Sequence, residues 1–366
     1  MQASGHPDDF PARNIQTADR VAPALLEWYD ANARTLPWRS PPGTPPPDPY
    51  RVWLSEVMLQ QTTVAAVGPY FEKFTRTWPT VHDLAAADDA TVMAAWAGLG
   101  YYARARNLLA CARAVAGLGQ FPDTEEGLRV LPGLGAYTAA AVAAIAFGRR
   151  AVVVDANVER VVSRLFAIDT PLPASRPAIR AATDTITPAA RAGDFAQAMM
   201  DLGATICTVK APRCLLCPLR QECRAAAQGR AQDLPVKAAR KAKPQRVGHA
   251  FWIERIGPDG EAQILLVTRP GKGMLGGMRA LPDDGWSARA DGDGQPPVAG
   301  TWHAAGAVRH AFTHFDLDLQ LLVGTAFSIA NVADGTWWPR AELENAGMPT
   351  VFAKAARLVL AGAHEA

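Results

Sequence analysis

Between Tyr50 and about Arg224, apolar residues recur three and four positions apart, and glycine or proline closes each run after a few turns. The stretch "DDATVMAAWAGLG" is typical. Acidic residues open it, Val92, Trp96 and Leu99 share one face, and glycine ends it, which predicts a helix. Residues 17–34 read the same way, with Val21, Leu25 and Trp28 on one side. Beyond residue 245 the period changes. "HAFWIERI", "QILLVTR" and "THFDLDLQLLV" read as strands; in the last, Phe315, Leu317, Leu319 and Leu321 alternate with His314, Asp316, Asp318 and Gln320. "PRAELENAG" and "TVFAKAARLVLAGA" return to helical spacing. The pattern therefore predicts an all-α domain over 17–227 and an α+β domain over 246–363. The polar, basic stretch 228–245 lies between them as an exposed linker. Proline-rich segments at 40–49 and 170–177 read as surface loops.

Composition narrows the setting. No uncharged apolar run approaches the ~18 residues of a membrane span. The N-terminal stretch is polar and lacks the apolar core of a signal peptide, so a cytoplasmic protein is expected. Formal net charge is only +2, but the first 245 residues are basic on balance and the remainder acidic, pointing to an anion-binding first half. Four of the five cysteines, Cys207, Cys214, Cys217 and Cys223, fall within one short stretch. In a reducing compartment such clustering favours metal over disulfides, either zinc or a 4Fe–4S cluster. One CxxC with longer arms, rather than two paired knuckles, favours the iron–sulfur cube. Neighbouring Lys210, Arg213, Arg220 and Arg224 would present cations to phosphates. Cys111, alone in an apolar helix, reads as core.

Candidate chemistry gathers elsewhere. In "VLPGLGAYTAAAV", Gly133 and Gly135 open a hairpin into an alanine-rich helix. Backbone N–H groups there approach an anion without a Cβ in the way, and the helix dipole points at the same place, a combination suited to a DNA phosphate and blind to sequence. Glu56, flanked by Trp53, Leu54, Val57 and Leu59, is expected to hold its proton near neutrality. Asp155, after an apolar β-branched run and beside Asn157, is expected to stay ionised, so that the two form an acid and a carboxylate held apart by environment.

The glycine hairpin, the aspartate twenty residues on and the cysteine signature resemble the helix-hairpin-helix base-excision DNA glycosylases. "LPWR", "SEVMLQQTTV", "WAGLGYYARARNL" and the C-terminal "FTHFDLDL" resemble, within them, the adenine DNA glycosylase (MutY) family. The resemblance implies an all-α glycosylase domain with a 4Fe–4S loop, followed by a Nudix-like α+β domain. It implies a monomer acting on double-stranded DNA with adenine opposite 8-oxoguanine or guanine, the adenine being flipped from the stack. By the same resemblance, Glu56 protonates adenine N7 and Asp155 stabilises the oxocarbenium-like sugar or attacks it transiently, with Tyr137 and Asn157 supporting Asp155. Trp38, Arg39, Leu59 and Asp201 line or brace the adenine pocket. Gln61, Thr62, Leu99 and Tyr101 enter the helix opposite the flipped base. Phe312, Thr313 and His314 sense 8-oxoguanine. Ala156 stands where the family usually has glycine, Arg279 where it has an apolar residue, and the 40–49 loop is longer than usual.

Three rival functions make distinct demands. An endonuclease III-like lyase needs a lysine at the position of Tyr137, yet no lysine occurs between Lys73 and Lys210. A non-catalytic iron–sulfur DNA-binding protein makes no demand on Glu56 and Asp155. A nucleotide hydrolase would need the REx2EExG Nudix pattern, which is missing, so the second domain is expected to bind rather than hydrolyse. His310 and His314, on an extended chain, stand too far apart for one metal ion.

Overall fold

A buried helix organises the first half. α8 (Ala136–Phe147) is apolar all round, and eight of its alanine, valine and isoleucine side chains are buried, so neighbours must cover every face. Those neighbours are α2 (Pro49–Met58), α7 (Glu125–Arg129) and α11 (Ala192–Thr205), with α9 (Ala156–Leu165) against α11. The computed structural model describes residues 10–238, 242–269, 274–325 and 335–362, which divide into two units at Ala239/Arg240. In the first unit α1 (Phe10–Asn32), α3 (Val64–Thr77), α4 (Val81–Ala86), α5 (Asp89–Trp96), α6 (Tyr102–Leu118), α10 (Arg176–Ile186) and α12 (Arg224–Ala227) complete the helical shell. Small residues set the closest approach. A Cβ on Gly193 would stand 2.5 Å from the Ala144 carbonyl oxygen, and one on Gly203 would stand 2.6 Å from Asn157 Cβ. α11 therefore presses against the end of α8 and the start of α9.

The stretch expected to be an exposed linker is partly docked. Leu234 is buried with Ala225 and Ala231, and its carbonyl accepts from Arg164 Nε at 2.9 Å. Leu172 N–H donates to the Val236 carbonyl at 2.8 Å. The polar composition of 228–238 hid the few apolar residues that anchor it.

The second unit holds two sheets. β1 (Gln245–Trp252) lies parallel to β6 (Asp316–Thr325), which pairs antiparallel with β5 (Thr301–Ala311). β3 (Ala262–Thr268) carries β2 (Glu254–Ile256), β4 (Arg279–Ala280) and β7 (Thr336–Pro339). "HAFWIERI" is thus two strands in different sheets, broken at the buried Ile253. The alternation in β6 is as expected, with Leu317, Leu319 and Leu321 buried under α13 (Thr350–Gly362) and Trp286. "PRAELENAG" forms only a seven-residue 3-10 helix, Arg340–Ala346, confined between Pro339 and the left-handed Gly347.

Candidate active site

α2, α8 and α9 deliver their side chains to one cleft of about 590 Å³, lined by Trp38, Arg39, Glu56, Leu59, Gln61, Thr62, Tyr137, Asp155 and Asn157 among others. Asp48 caps the N-terminus of α2 and Pro49 follows at its first position, which sets the helix so that Glu56 arrives in its last turn. Glu56 is 6% exposed and accepts a hydrogen bond from the Tyr137 hydroxyl at 2.6 Å. Burial pushes its carboxyl up to about 7; the Tyr137 bond and the Arg39 charge oppose this, and Asp155 adds to it. Burial and the nearby Glu56 and Asp155 push the Tyr137 phenol upward too, so it is a proton donor to Glu56 throughout the neutral range. The Tyr137 hydroxyl thus bonds Glu56 directly, with Asp155 close enough for its charge to be felt.

Asp155 caps α9. Its Oδ1 accepts from Val158 N–H at 2.7 Å and its Oδ2 from Asn157 Nδ2 at 2.8 Å. Both oxygens are engaged as acceptors, an arrangement suited to a carboxylate. Burial nevertheless moves its pKa upward against these bonds and Arg160, so its surroundings are less polar than Asn157 alone suggested. The Asn157 amide is oriented from behind, because Arg160 Nη2 donates to Asn157 Oδ1 at 2.8 Å. Arg160 is itself tied to the Gly203 and Cys207 carbonyls, both at 2.7 Å. Ala156 opens α9 in helical conformation and needs none of glycine's freedom.

Asp201, wholly buried, accepts from Arg39 Nη1 at 2.7 Å and from Arg34 Nε at 2.6 Å, placing two guanidiniums along one wall. Arg34, Arg160 and Arg104 were not singled out in the sequence. Each lies in or beside a helix with ordinary charged neighbours, and only its distant acceptors distinguish it. Of the other expected residues, Tyr101 is 54% exposed whereas Leu99 is buried beneath its loop. The hairpin joins α7 to α8. Gly133 takes φ +76° against Asn107, where a Cβ would stand 2.7 Å from Asn107 Cβ. At Gly135 a Cβ would meet open space, and the first N–H groups of α8 receive no side-chain cap, as a helix start open to an anion requires.

The four cysteines form no disulfide and are half-buried. Burial, and in smaller part the neighbouring cysteines, push the Cys217 and Cys223 thiols up, so these two lie close to Cys207 and Cys214. Arg164, buried, donates from Nη1 to Cys207 Sγ at 3.3 Å. Among the described residues no three ligating side chains gather as around a single ion. Four soft sulfur donors in one short stretch, one of them accepting an N–H, have the chemistry to hold a soft metal centre.

In the second unit, Phe312–His314 form the turn between β5 and β6, closed by Phe312 N–H to the Phe315 carbonyl at 2.9 Å. The chain expected to run on extended through His314 instead reverses, because Ala311 pairs with Asp316. Phe312 stacks on Phe315 at 4.7 Å, and its carbonyl accepts from Lys243 Nζ at 2.6 Å, while Thr313 and His314 are exposed. Arg279 lies 4.5 Å from the Trp338 ring and packs as a flat side chain where an apolar one is usual.

A helical unit with a helix-hairpin-helix beside paired acids defines a class. Residues 54–183 match the HhH-GPD superfamily of base excision DNA repair proteins, and residues 256–358 match a NUDIX domain. The human adenine DNA glycosylase is 34% identical over 412 residues, covering 94% of this chain and 75% of that protein. The rat adenine DNA glycosylase is 35% identical, with 91% and 77% covered. A solved thermostable thymine-DNA glycosylase is similar in fold at TM-score 0.52 and 28% identity, over 58% of this chain and 98% of that one. The chain belongs to the adenine DNA glycosylase family and is a base-excision-repair DNA glycosylase.

Proposed function

We propose that this enzyme hydrolyses the N-glycosidic bond of adenine opposite 8-oxoguanine, or opposite guanine, in duplex DNA, and leaves the strand uncut. The observation that carries this is the buried Glu56, proton-holding near pH 7 and bonded to a tyrosine, in one cleft with a doubly hydrogen-bonded Asp155. The flipped adenine enters that cleft against Trp38, Leu59 and Arg39, the last braced by Asp201. Glu56 gives its proton to N7, the C1′–N9 bond breaks with its electron pair leaving on the base, and Asp155 stabilises the cationic sugar or adds to it transiently. Water completes the sugar and Glu56 recovers a proton. Asn157 fixes the Asp155 oxygens. Gln61, Thr62 and Tyr101, with Leu99 beneath, face the opposite strand, and Phe312, Thr313 and His314 read the 8-oxoguanine.

The hairpin at Gly133–Gly135 holds the DNA backbone through uncapped N–H groups. Cys207, Cys214, Cys217 and Cys223 would hold a 4Fe–4S cluster. That group supplies a rigid staple for the basic loop around Lys210, Arg213 and Arg220, and the base-removal steps belong to other residues.

The decisive experiment pairs adenine with 8-oxoguanine, guanine, cytosine or thymine and develops each duplex with and without alkali. Strand breaks should appear only after alkali and only at adenine, fastest opposite 8-oxoguanine. Borohydride-trapped enzyme–DNA adduct as the main product would instead establish a lyase. Replacing Phe312 and His314 together by alanine should narrow the preference for 8-oxoguanine over guanine, and unchanged discrimination would place recognition elsewhere.

Tyr137→Phe tests the acid. The Tyr137 hydrogen bond favours ionised Glu56, so losing it moves the Glu56 pKa further up. The alkaline limb of the single-turnover pH profile should shift to higher pH, while the rate below neutrality changes by less than about tenfold. A limb that stays or moves down would separate Tyr137 from Glu56.

A further inference from the structure

Two loop tips near the cleft carry non-glycine residues in the left-handed region, Gln61 at φ +57° and Tyr101 at φ +49°. Such conformations persist only where the surroundings over-determine them. Tyr101 stands at the N-cap of α6, and its side chain makes no capping hydrogen bond. One side chain touches both loops. Arg104, in the first turn of α6, donates from Nη1 to the Val57 and Met58 carbonyls at 3.1 and 2.9 Å, the last carbonyls of α2. From Nη2 it donates to the Leu99 and Gly100 carbonyls at 3.0 and 3.5 Å and to Thr62 Oγ1 at 3.3 Å. Its guanidinium carbon lies 5.3 Å from the ring centres of both Trp96 and Tyr101. Trp96 Nε1 adds a bond to the Gly100 carbonyl at 2.9 Å, and Thr62 Oγ1 donates to the Gln60 carbonyl at 3.3 Å.

We propose that Arg104 is the positioning residue that fixes the two tips relative to each other and to the helix bearing Glu56. Gln61 and Tyr101 then meet a mispair as one preset wedge. The proposal rests on the reading above that these tips engage the strand opposite the flipped base. Both terminal nitrogens already serve protein acceptors, so Arg104 is not a phosphate ligand. A planar fork is needed, because two terminal nitrogens must reach five acceptors on three pieces of chain while the same group lies against two rings. Lysine has the charge but neither the fork nor the plane.

Arg104→Lys, Tyr101→Ala and the double variant of the full-length chain test this. Affinity is measured for an undamaged duplex and for one pairing 8-oxoguanine with 2′-fluoro-2′-deoxyadenosine, which resists cleavage. Arg104→Lys should weaken mispair binding about tenfold or more and undamaged-duplex binding by less than about twofold, with the alkaline pH midpoint of single-turnover cleavage unmoved. The double variant should lose clearly less than the product of the two single losses. Should the lysine variant fail to accumulate, Arg104→Gln gives the same readout. Tyr101→Ala weakened but Arg104→Lys unchanged would overturn the role of Arg104 alone. Both unchanged would overturn the wedge reading itself. Equal weakening on both duplexes, or multiplicative losses in the double variant, would make Arg104 a general structural residue and overturn the proposal.

Discussion

Glu56→Gln should abolish adenine release and, above neutral pH, make the protein more stable. The amide keeps the shape and accepts the Tyr137 hydroxyl, so the cleft survives, but it has no proton to give. Loss of a general acid of this kind lowers rates by about 10²–10⁴-fold. The stability effect follows from the raised pKa. Unfolded, the carboxyl titrates in the ordinary glutamate range; folded, near 7. The folded state therefore binds the extra proton between these values. Stability from that proton is fully present below the unfolded pKa and is lost as pH rises through 7. Above neutrality the buried anion costs roughly 3 kcal/mol, which glutamine does not incur. Thermal melts should give similar midpoints near pH 4 and a higher midpoint for the variant at pH 8. A variant no more stable at pH 8 would mean that Glu56 is not held as a buried acid; full activity would remove it from the mechanism.

That contrast explains what was readable from the chain. The acid was legible because its apolar neighbours are adjacent in sequence, so burial of Glu56 follows from local pattern. The cysteine spacing and the hairpin glycines were legible for the same reason. Contacts between residues distant in sequence were not. Tyr137 reaches Glu56 across 81 positions, and Arg34 reaches Asp201 across 167. Arginines on amphipathic helices look like a solvated face, and nothing local distinguishes Arg104 or Arg160 from Arg106 or Arg176. The apolar side of the Asp155 surroundings is not legible, because Asn157 is visible in the sequence whereas the packing of α11 against the start of α9 is not. The motif groups Leu99 with Tyr101, but the turn at Gly98 and Gly100 buries one and exposes the other.

Asp155→Asn should reduce single-turnover base removal by about 10³-fold or more, equivalent to about 4 kcal/mol of transition-state stabilisation, while duplex binding stays within about threefold. The carboxylate accepts from two donors, Val158 N–H and Asn157 Nδ2. An asparagine offers one oxygen, so its own amide must face one of those donors. Asparagine still caps a helix well, which keeps α9 in place and limits the fold cost to about 1–3 kcal/mol for one unsatisfied donor. What disappears is the negative charge beside the sugar at the moment it turns cationic. That interaction exists only in the transition state, so it should appear in the rate and not in the affinity. Glu56 also responds. Asp155 is one of the groups holding its pKa up, so removing that charge should move the alkaline limb of the residual activity to lower pH, opposite to Tyr137→Phe. A variant that cleaves at full rate, or one whose limb moves with that of Tyr137→Phe, would show that the two carboxyls do not work as a pair.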